Sequence, residues 1–366
     1  MNHPAPGHPA PGHPAAGHPA AGYPAAGYPA AGYPAAGRPG TGRPGTGAFG
    51  PPVAPSTPVT SFGTGLLITE VRRVPGGQEY EWLRAPGPVA PAPFAPVPGT
   101  LRRVCEGIGE HHGVRFAVGE ETEGPTGAGR RYRAGHDRSV IHYLLVGGPA
   151  EVPGGAAALE RALRGTGALL AALHRAPIPT PTPTPTPAPA PGPARGLRRL
   201  WTWLAGDSRA AEAFAAHDGV LDTLRRWCAQ ALTADADSAD GRPARPVLSH
   251  GAPGLGSLVP DPRTGTAVLL TGEDLCLAPW PYDLGWITGE LAELRWAHGG
   301  DAAEWQRLLG ALVEGYGRGL GERARRWAAL RIALHAHDTL AYSDEGRAAA
   351  VYVLLAARLV RGGATR

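Results

Sequence analysis

Proline sets the first limit on what this chain can fold into. From His3 to Gly47 the sequence repeats every five residues, beginning as HPAPG, changing to YPAAG and ending as RPGTG. Apart from proline, this tract contains no aliphatic side chain larger than alanine, so ordering it would bury too little apolar surface to offset the lost chain entropy. We therefore predict that residues 1–60 form a disordered tail. Weak adhesive contacts, or metal scavenging by the histidine-led repeats, are alternative roles for it.

The composition of the chain indicates which class of protein it belongs to and where in the cell it is expected. The 366 residues include 54 glycines and 41 prolines, and the 3 cysteines are widely spaced, which favours reduced thiols over a disulfide framework. No stretch is long and apolar enough to span a bilayer, and the N-terminus lacks the order of a secretion signal. We therefore expect a cytoplasmic protein with no membrane partner. The net charge of +4 is dispersed among helices and does not indicate a nucleic-acid partner.

The segment after the tail predicts a small β-rich lobe over residues 61–148. Its apolar runs are bounded by glycine and proline turns, as strands are. Strands are predicted at residues 65–74, 114–118 and 140–146, and a helix at about residues 101–111. The sequence FGTG at residues 62–65 favours an ordinary turn, with a phosphate-covering loop as the alternative.

The rest of the chain predicts a larger helical lobe over residues 149–366. Helical runs are predicted at residues 156–176, 208–232, 283–298, 302–317, 322–335 and 346–360. A Pro-rich insertion, residues 177–196, alternates Thr-Pro and Ala-Pro and predicts a stiff extended segment, either a surface insertion or a ligand for a proline-binding groove. His335 and His337 would face different sides of a helix, so this pair does not indicate a metal site.

Three short segments of the helical lobe place glycine and polar residues in a fixed frame. They read HGAPGLGSL at residues 250–258, LLTGE at residues 269–273 and YDLG at residues 282–285. The frame resembles that of the aminoglycoside phosphotransferase and choline kinase family, whose pattern is HGD-x4-N-hydrophobic, a strand ending in D-[WFL]-[ED], then P-x-YDL. LLAALHRAP at residues 169–177 is similar to a helix end of the same family. The resemblance implies an α+β, two-lobed protein-kinase-like fold with a small β-rich N-lobe and a larger helical C-lobe.

The positions that carry chemistry in that family hold other residues here. Ala252 stands where the family has its base aspartate, Ser257 where it has a magnesium-binding asparagine, and Thr271 where it has a magnesium-binding aspartate. His250 and Asp283 match family positions that brace the loop rather than react. The resemblance therefore implies a catalytic frame whose reactive groups are missing.

The residues that remain predict no metal site and no bound cofactor. Magnesium prefers carboxylate ligands, and the hydroxyls of Ser257 and Thr271 carry no charge. Glu273 is a candidate replacement metal ligand, because it lies two residues after Thr271 and so on the same side of an extended segment.

The chain also contains no lysine, so its 35 Lys+Arg residues are all arginine. Kinases of this fold hold the nucleotide phosphates with a strand lysine. Arg115 lies in a predicted strand from which it could approach a phosphate, but its planar guanidinium is not a geometric substitute for a compact ammonium.

Two functions are compatible with this pattern. The first is a pseudokinase that binds a peptide or protein partner, with His250, Gly251, Gly254, Gly256 and Ser257 as the candidate binding loop, because glycine lets a bound chain come close. The alternative is a divergent, active phosphotransferase that uses Mg-ATP to modify a peptide or small metabolite in actinobacterial specialised metabolism, for example in a lanthipeptide-type pathway.

Overall fold

A β-rich lobe is followed along the chain by a helical lobe. The computed structural model describes residues 56–90, 92–124, 127–179, 191–206, 208–233, 245–342 and 346–362. All of these residues belong to one compact unit, Ala36–Arg366. The predicted tail, apart from residues 56–60, and the central part of the Pro-rich insertion lie outside the described residues.

The N-lobe is built on a sheet of antiparallel strands. Its elements are β1 (Thr57–Gly63), β2 (Leu67–Arg73), β3 (Tyr80–Pro86), α1 (Gly99–Gly107), β4 (Val114–Val118), β5 (Glu120–Gly124), β6 (Gly127–Ala134) and α2 (Val140–Gly147). Within the described chain, the sheet has the order β1-β2-β3-β6-β5. The predicted turn after β2 forms at Gly76, whose φ of 68° suits glycine. The first strand begins inside the segment that was predicted as tail.

The strand predicted at residues 140–146 is wrong, because this segment forms helix α2. A short apolar run does not by itself distinguish a buried strand from a buried helix. Ser139 occupies the position before the helix, and Val140 and Leu144, four residues apart, both face the core. Val146 is 80% exposed, which a central strand would not allow.

Strand β4 connects the N-lobe to the C-lobe. It pairs in parallel with β9 (Thr266–Thr271), while β5, directly after Gly119, pairs with β6 of the N-lobe sheet. Gly119 makes this bend possible, because a Cβ there would lie 2.7 Å from Cε1 of Tyr132. The consecutive strands β4 and β5 therefore pair with the C-lobe hairpin and with the N-lobe sheet respectively.

The C-lobe combines helices with two short antiparallel pairs of strands. Its elements, besides β9, are α3 (Gly155–Arg175), α4 (Arg195–Ala205), α5 (Arg209–Ala215), α6 (Val220–Leu232), β7 (Val247–Ser249), β8 (Leu258–Asp261), β10 (Cys276–Ala278), α7 (Pro281–His298), α8 (Ala302–Tyr316), α9 (Arg323–Tyr342) and α10 (Gly346–Val360). The helical run predicted at residues 208–232 divides into α5 and α6 at Gly219, which has a φ of 67°. Strands β8 and β9 form an antiparallel hairpin.

None of the described helices is long and apolar enough to cross a membrane. The cytoplasmic location stays a prediction from the sequence.

Candidate functional site

The loop between β7 and β8, residues 250–257, is held by a buried carboxylate. Asp283, on the first turn of α7, accepts hydrogen bonds from the backbone N–H groups of His250 at 2.7 Å and Gly251 at 3.1 Å. Its Oδ2 also lies 2.9 Å from Nε2 of His174. Burial favours a raised pKa for Asp283, but the hydrogen bond and charge of His174, with the loop contacts, outweigh it and leave the pKa below its ordinary value. The ionised carboxylate therefore fixes the start of the loop.

His250 fastens the same loop to the hairpin. Its Nε2 lies 2.9 Å from the carbonyl oxygen of Leu270, the residue before Thr271. Burial lowers the pKa of His250, so its ring is neutral at pH 7 and donates from Nε2 to that carbonyl. The structure thus brings His250 and Thr271, predicted to share one site, together.

Gly251 is required by its surroundings. It has a φ of 94°, and a Cβ on it would lie 1.7 Å from the carbonyl oxygen of Asp274. Its own carbonyl accepts a 2.7 Å hydrogen bond from the hydroxyl of Tyr282. No other residue type fits here without moving the backbone of the following segment.

Gly254 and Gly256 are half-buried at the edge of the loop, as is Ala252. A Cβ on Gly256 would make an ordinary contact of 3.6 Å with Ile141, and a Cβ on Gly254 would lie 3.1 Å from a carboxylate oxygen of Glu290. Glu290 Oε2 also accepts from the N–H of Leu255 at 2.8 Å, and burial raises the pKa of this carboxyl. Sequence reasoning missed Glu290, which belongs to no loop motif.

The cation of this site comes from β3. Arg84 Nη1 donates to Oε1 of Glu273 at 2.9 Å and to Oγ of Ser257 at 3.2 Å. The hydroxyl of Tyr132, on β6, donates to the same Glu273 oxygen at 2.7 Å. Arg84 is 7% exposed. We call these four residues the cleft network; it links the N-lobe sheet to both the loop and the hairpin.

Arg115, the arginine considered from the sequence, does not reach this site. It is exposed on β4, while its neighbours Val114 and Phe116 are buried on the opposite face. Arg84 was missed because no strand was predicted at residues 80–86. Trp82 and Arg84 are two residues apart and so lie on the same face of β3.

Thr271 ends β9, as predicted, and is almost fully buried. It is 1% exposed, and its hydroxyl has no hydrogen-bond partner among the described residues. Glu273 follows it across Gly272, which has a φ of 108°. The next residue, Asp274, pairs with Arg195 at 2.8 Å between Oδ1 and Nη1, and burial raises its pKa. Each carboxylate after the hairpin is thus paired with an arginine.

These residues do not suit the magnesium and nucleotide that the fold implies. Ser257 offers a neutral hydroxyl that already accepts from Arg84, and Glu273 offers a carboxylate that already has two donors. The described residues contain no group of three His, Cys, Asp or Glu side chains able to hold a metal ion. Both donors bind Oε1 of Glu273, so magnesium at that oxygen would have to displace the contacts of the cleft network.

Comparison with solved structures identifies the fold of this chain. The amicoumacin kinase hAmiN, solved with AMP-PNP, Ca2+ and Ami, aligns with a TM-score of 0.54 and 10% identity, over 84% of this chain and 89% of that chain. An ethanolamine kinase from Plasmodium vivax aligns with a TM-score of 0.50 and 10% identity, over 83% and 81%. This chain has the two-lobed kinase-like fold of aminoglycoside phosphotransferases and choline kinases. The fold predicted from the loop frame is confirmed.

An aminoglycoside phosphotransferase from Streptomyces rimosus is 19% identical and aligns over 77% of this chain and 93% of that chain, with a TM-score of 0.40. No protein-family model and no curated protein matches the sequence. The kinase-like fold is therefore shown by structure, while the activity of this chain has to be argued from its own side chains.

Proposed function

We propose that this protein is a phosphotransferase-like protein that has lost phosphoryl transfer and acts by binding a peptide or protein partner. The observation that carries the proposal is the buried ion pair of the cleft network, between Arg84 and Glu273. Its two side chains are 8% and 15% exposed. In active kinases of this fold, a strand lysine binds the nucleotide phosphates, and an aspartate at the position that Thr271 occupies here binds magnesium. Here the strand cation Arg84 instead pairs with Glu273, two residues after Thr271.

Opening the ion pair carries a large cost. Leaving one member of a buried pair without its partner costs about 3–5 kcal/mol. The hydrogen bonds to Ser257 and Tyr132 would be lost as well. The contacts of a bound nucleotide would have to offset this cost, which weakens Mg-ATP binding and favours a cleft without it.

Large side chains also fill the space between the lobes. Trp82 is 0% exposed and Tyr132 2%, and they pack with Val259 and Leu270 of the hairpin. The indole Nε1 of Trp82 donates to the carbonyl of His136 at 2.8 Å, in the segment that connects the N-lobe sheet to α2. The indole therefore occupies volume between the lobes and already uses one lone pair of this linker carbonyl.

The missing base adds to the same conclusion. A positioned general base contributes roughly 10²–10⁴ in rate, and Ala252 has no proton acceptor. Phosphoryl transfer depends more on positioning and charge neutralisation than on the base. The filled cleft therefore supports loss of activity more strongly than Ala252 does.

The partner surface we propose is the half-buried edge of the loop at Ala252, Gly254 and Gly256. These residues carry little or no side chain, so a bound peptide backbone can approach the loop closely. Replacing Gly256 with tryptophan adds bulk where a Cβ has room. We expect this variant to lose binding of an identified partner and to keep the parent melting temperature. Tryptophan at Gly310, exposed on α8, is the matched control and should bind as the parent does.

Mg-ATP binding tests the loss of activity directly. A ligand at 100 times its Kd raises the free energy of unfolding by about 2.7 kcal/mol. We expect no magnesium-dependent rise in melting temperature with ATP, whereas an active phosphotransferase of the same fold should show one. A variant carrying Ala252→Asp, Ser257→Asn and Thr271→Asp should also show none, because Trp82 and Arg84 still fill the cleft.

A magnesium-dependent rise with the parent protein would refute this proposal. It would favour the alternative, an active phosphotransferase that uses Glu273 as the replacement ligand and modifies a peptide or small metabolite. Transfer of labelled phosphate from ATP would then identify the substrate.

A further inference from the structure

A cavity lies in the C-lobe, away from the cleft network. It has a volume of about 520 Å³ and opens between the end of α3, the segment before β7, Trp280 and the turn after α8. Arg175, Arg245 and Arg318 line it, together with Tyr316 and His174. Aspartate and glutamate are absent from its lining as described. The cavity therefore concentrates positive charge.

The charges of these three arginines are not balanced by the protein around them. None of the three forms an ion pair with a carboxylate of the described chain, in contrast to Arg84 and Arg195. The nearby carboxylate, Asp283, is buried behind His174 and is already held by the loop amides. All three arginines are exposed, so water solvates their charges, and an anion that contacts more than one of them would replace that water with charge-assisted hydrogen bonds.

Aromatic side chains hold part of this arrangement in place. The guanidinium carbon of Arg318 lies 4.0 Å from the ring centroid of Trp280, a cation–π contact that fixes its position. Trp280 in turn stacks on Tyr316, with ring centroids 5.6 Å apart. A guanidinium held by its face keeps its N–H groups free in the plane, where they can bind an oxyanion in pairs.

We propose that this cavity is a binding site for a small phosphate-bearing anion. Arginine binds phosphate through paired hydrogen bonds, and three arginines match the charge of a phosphate dianion with one to spare. A volume of about 520 Å³ is larger than phosphate alone needs and falls in the range of small-molecule pockets. The site therefore takes a phosphate monoester of a small organic group, with free phosphate as the smaller ligand of the same chemistry.

The cavity is connected to the loop of the cleft. The hydroxyl of Tyr316 lies 2.8 Å from Nδ1 of His174, and Nε2 of the same ring lies 2.9 Å from Asp283. Because the ionised Asp283 carboxylate only accepts, the ring donates from Nε2 to it. Asp283 holds the amides of His250 and Gly251. Occupation of the cavity thus acts on a side chain two hydrogen bonds away from the loop.

Calorimetric titration of the full chain tests this proposal. The probes are phenyl phosphate and inorganic phosphate at constant ionic strength, with sodium chloride as the reference salt. We expect 1:1 binding of phenyl phosphate, weaker binding of inorganic phosphate, and a loss of roughly tenfold or more in affinity for each of Arg175→Gln and Arg318→Gln, because each removes a hydrogen bond to a charged group. Arg307→Gln, which removes an exposed arginine of α8 paired with Glu160, is the matched control and should bind like the parent.

The proposal would be overturned if neither phosphate probe binds. It would also be overturned if the parent and the Arg175→Gln/Arg318→Gln double variant bind the probes equally well. If the double variant does not fold, the single variants decide the question. Inorganic phosphate binding as tightly as phenyl phosphate would identify free phosphate as the ligand. ATP binding that is lost in the double variant takes place in this cavity and not in the cleft. The double variant therefore distinguishes a failure of this proposal from a failure of the proposed function.

Discussion

Replacing Arg84 with methionine tests the cleft network most directly. Methionine keeps an unbranched apolar stem but leaves Glu273 without its cation, with only the hydroxyl of Tyr132 as donor. Breaking a buried pair from one side costs about 3–5 kcal/mol. Glu273 is 15% exposed and keeps one hydrogen bond, so we expect the lower end, about 3 kcal/mol. At about 2–4 °C per kcal/mol, the melting temperature should fall by roughly 6–12 °C.

Arg131→Met is the matched control, because it changes the same residue type on the neighbouring strand β6. Its ion pair with Glu120 has side chains that are 45% and 61% exposed. Exposed pairs contribute up to about 1 kcal/mol. We therefore expect the melting temperature to fall by less than roughly 4 °C.

A double-mutant cycle with Glu273→Gln separates the pair from its surroundings. The coupling free energy of Arg84 and Glu273, measured by urea denaturation of the parent, both single variants and the double variant, should be about 2 kcal/mol. A coupling of less than about 0.5 kcal/mol, or equal destabilisation by Arg84→Met and Arg131→Met, would refute the reasoning that this ion pair closes the cleft.

Two further predictions concern the loop and its brace. Gly251→Ala should prevent folding or destabilise the protein by more than about 2 kcal/mol, because φ is positive at this residue and the new Cβ would meet the Asp274 carbonyl. The control Gly310→Ala, at an exposed position of α8, should instead stabilise the protein by about 0.5–1 kcal/mol. Similar melting temperatures for the two variants would contradict the loop geometry. The pKa of Asp283 is lowered in the folded state, so its contribution to stability is complete above the unfolded pKa of about 3.9 and is lost as pH falls through the folded pKa. The Asp283→Asn variant should therefore be less stable than the parent at neutral pH, and its free energy of unfolding should fall less steeply below about pH 4. If urea denaturation gives the same dependence on pH for parent and variant in that range, Asp283 is not the ionised group that holds the loop.

Local sequence predicted much of the frame that holds the candidate site. The segments around His250, Gly251 and Asp283 predicted a kinase-like lobe through their resemblance to a known family. The structure shows what two of these residues do: Gly251 has a positive φ, and the Asp283 carboxylate faces two backbone amides. The same resemblance predicted a strand that ends at Thr271, where β9 does end. These features depend on neighbours close along the chain or on one short motif, so the sequence by itself determined them.

The contents of the cleft were decided by tertiary structure. Arg84 and Glu273 are 189 residues apart in sequence and meet only because β3 and the β8–β9 hairpin pack face to face. No local pattern distinguishes Arg84 from Arg115, which is also a strand arginine but points to solvent. The formation of helix α2 was also decided by tertiary structure. Its apolar run is compatible with a strand or a helix, and packing against the core determines which one forms. Whether a charge is paired, buried or free depends on which distant residues the fold brings to it, and that information is not present in any short segment of this chain.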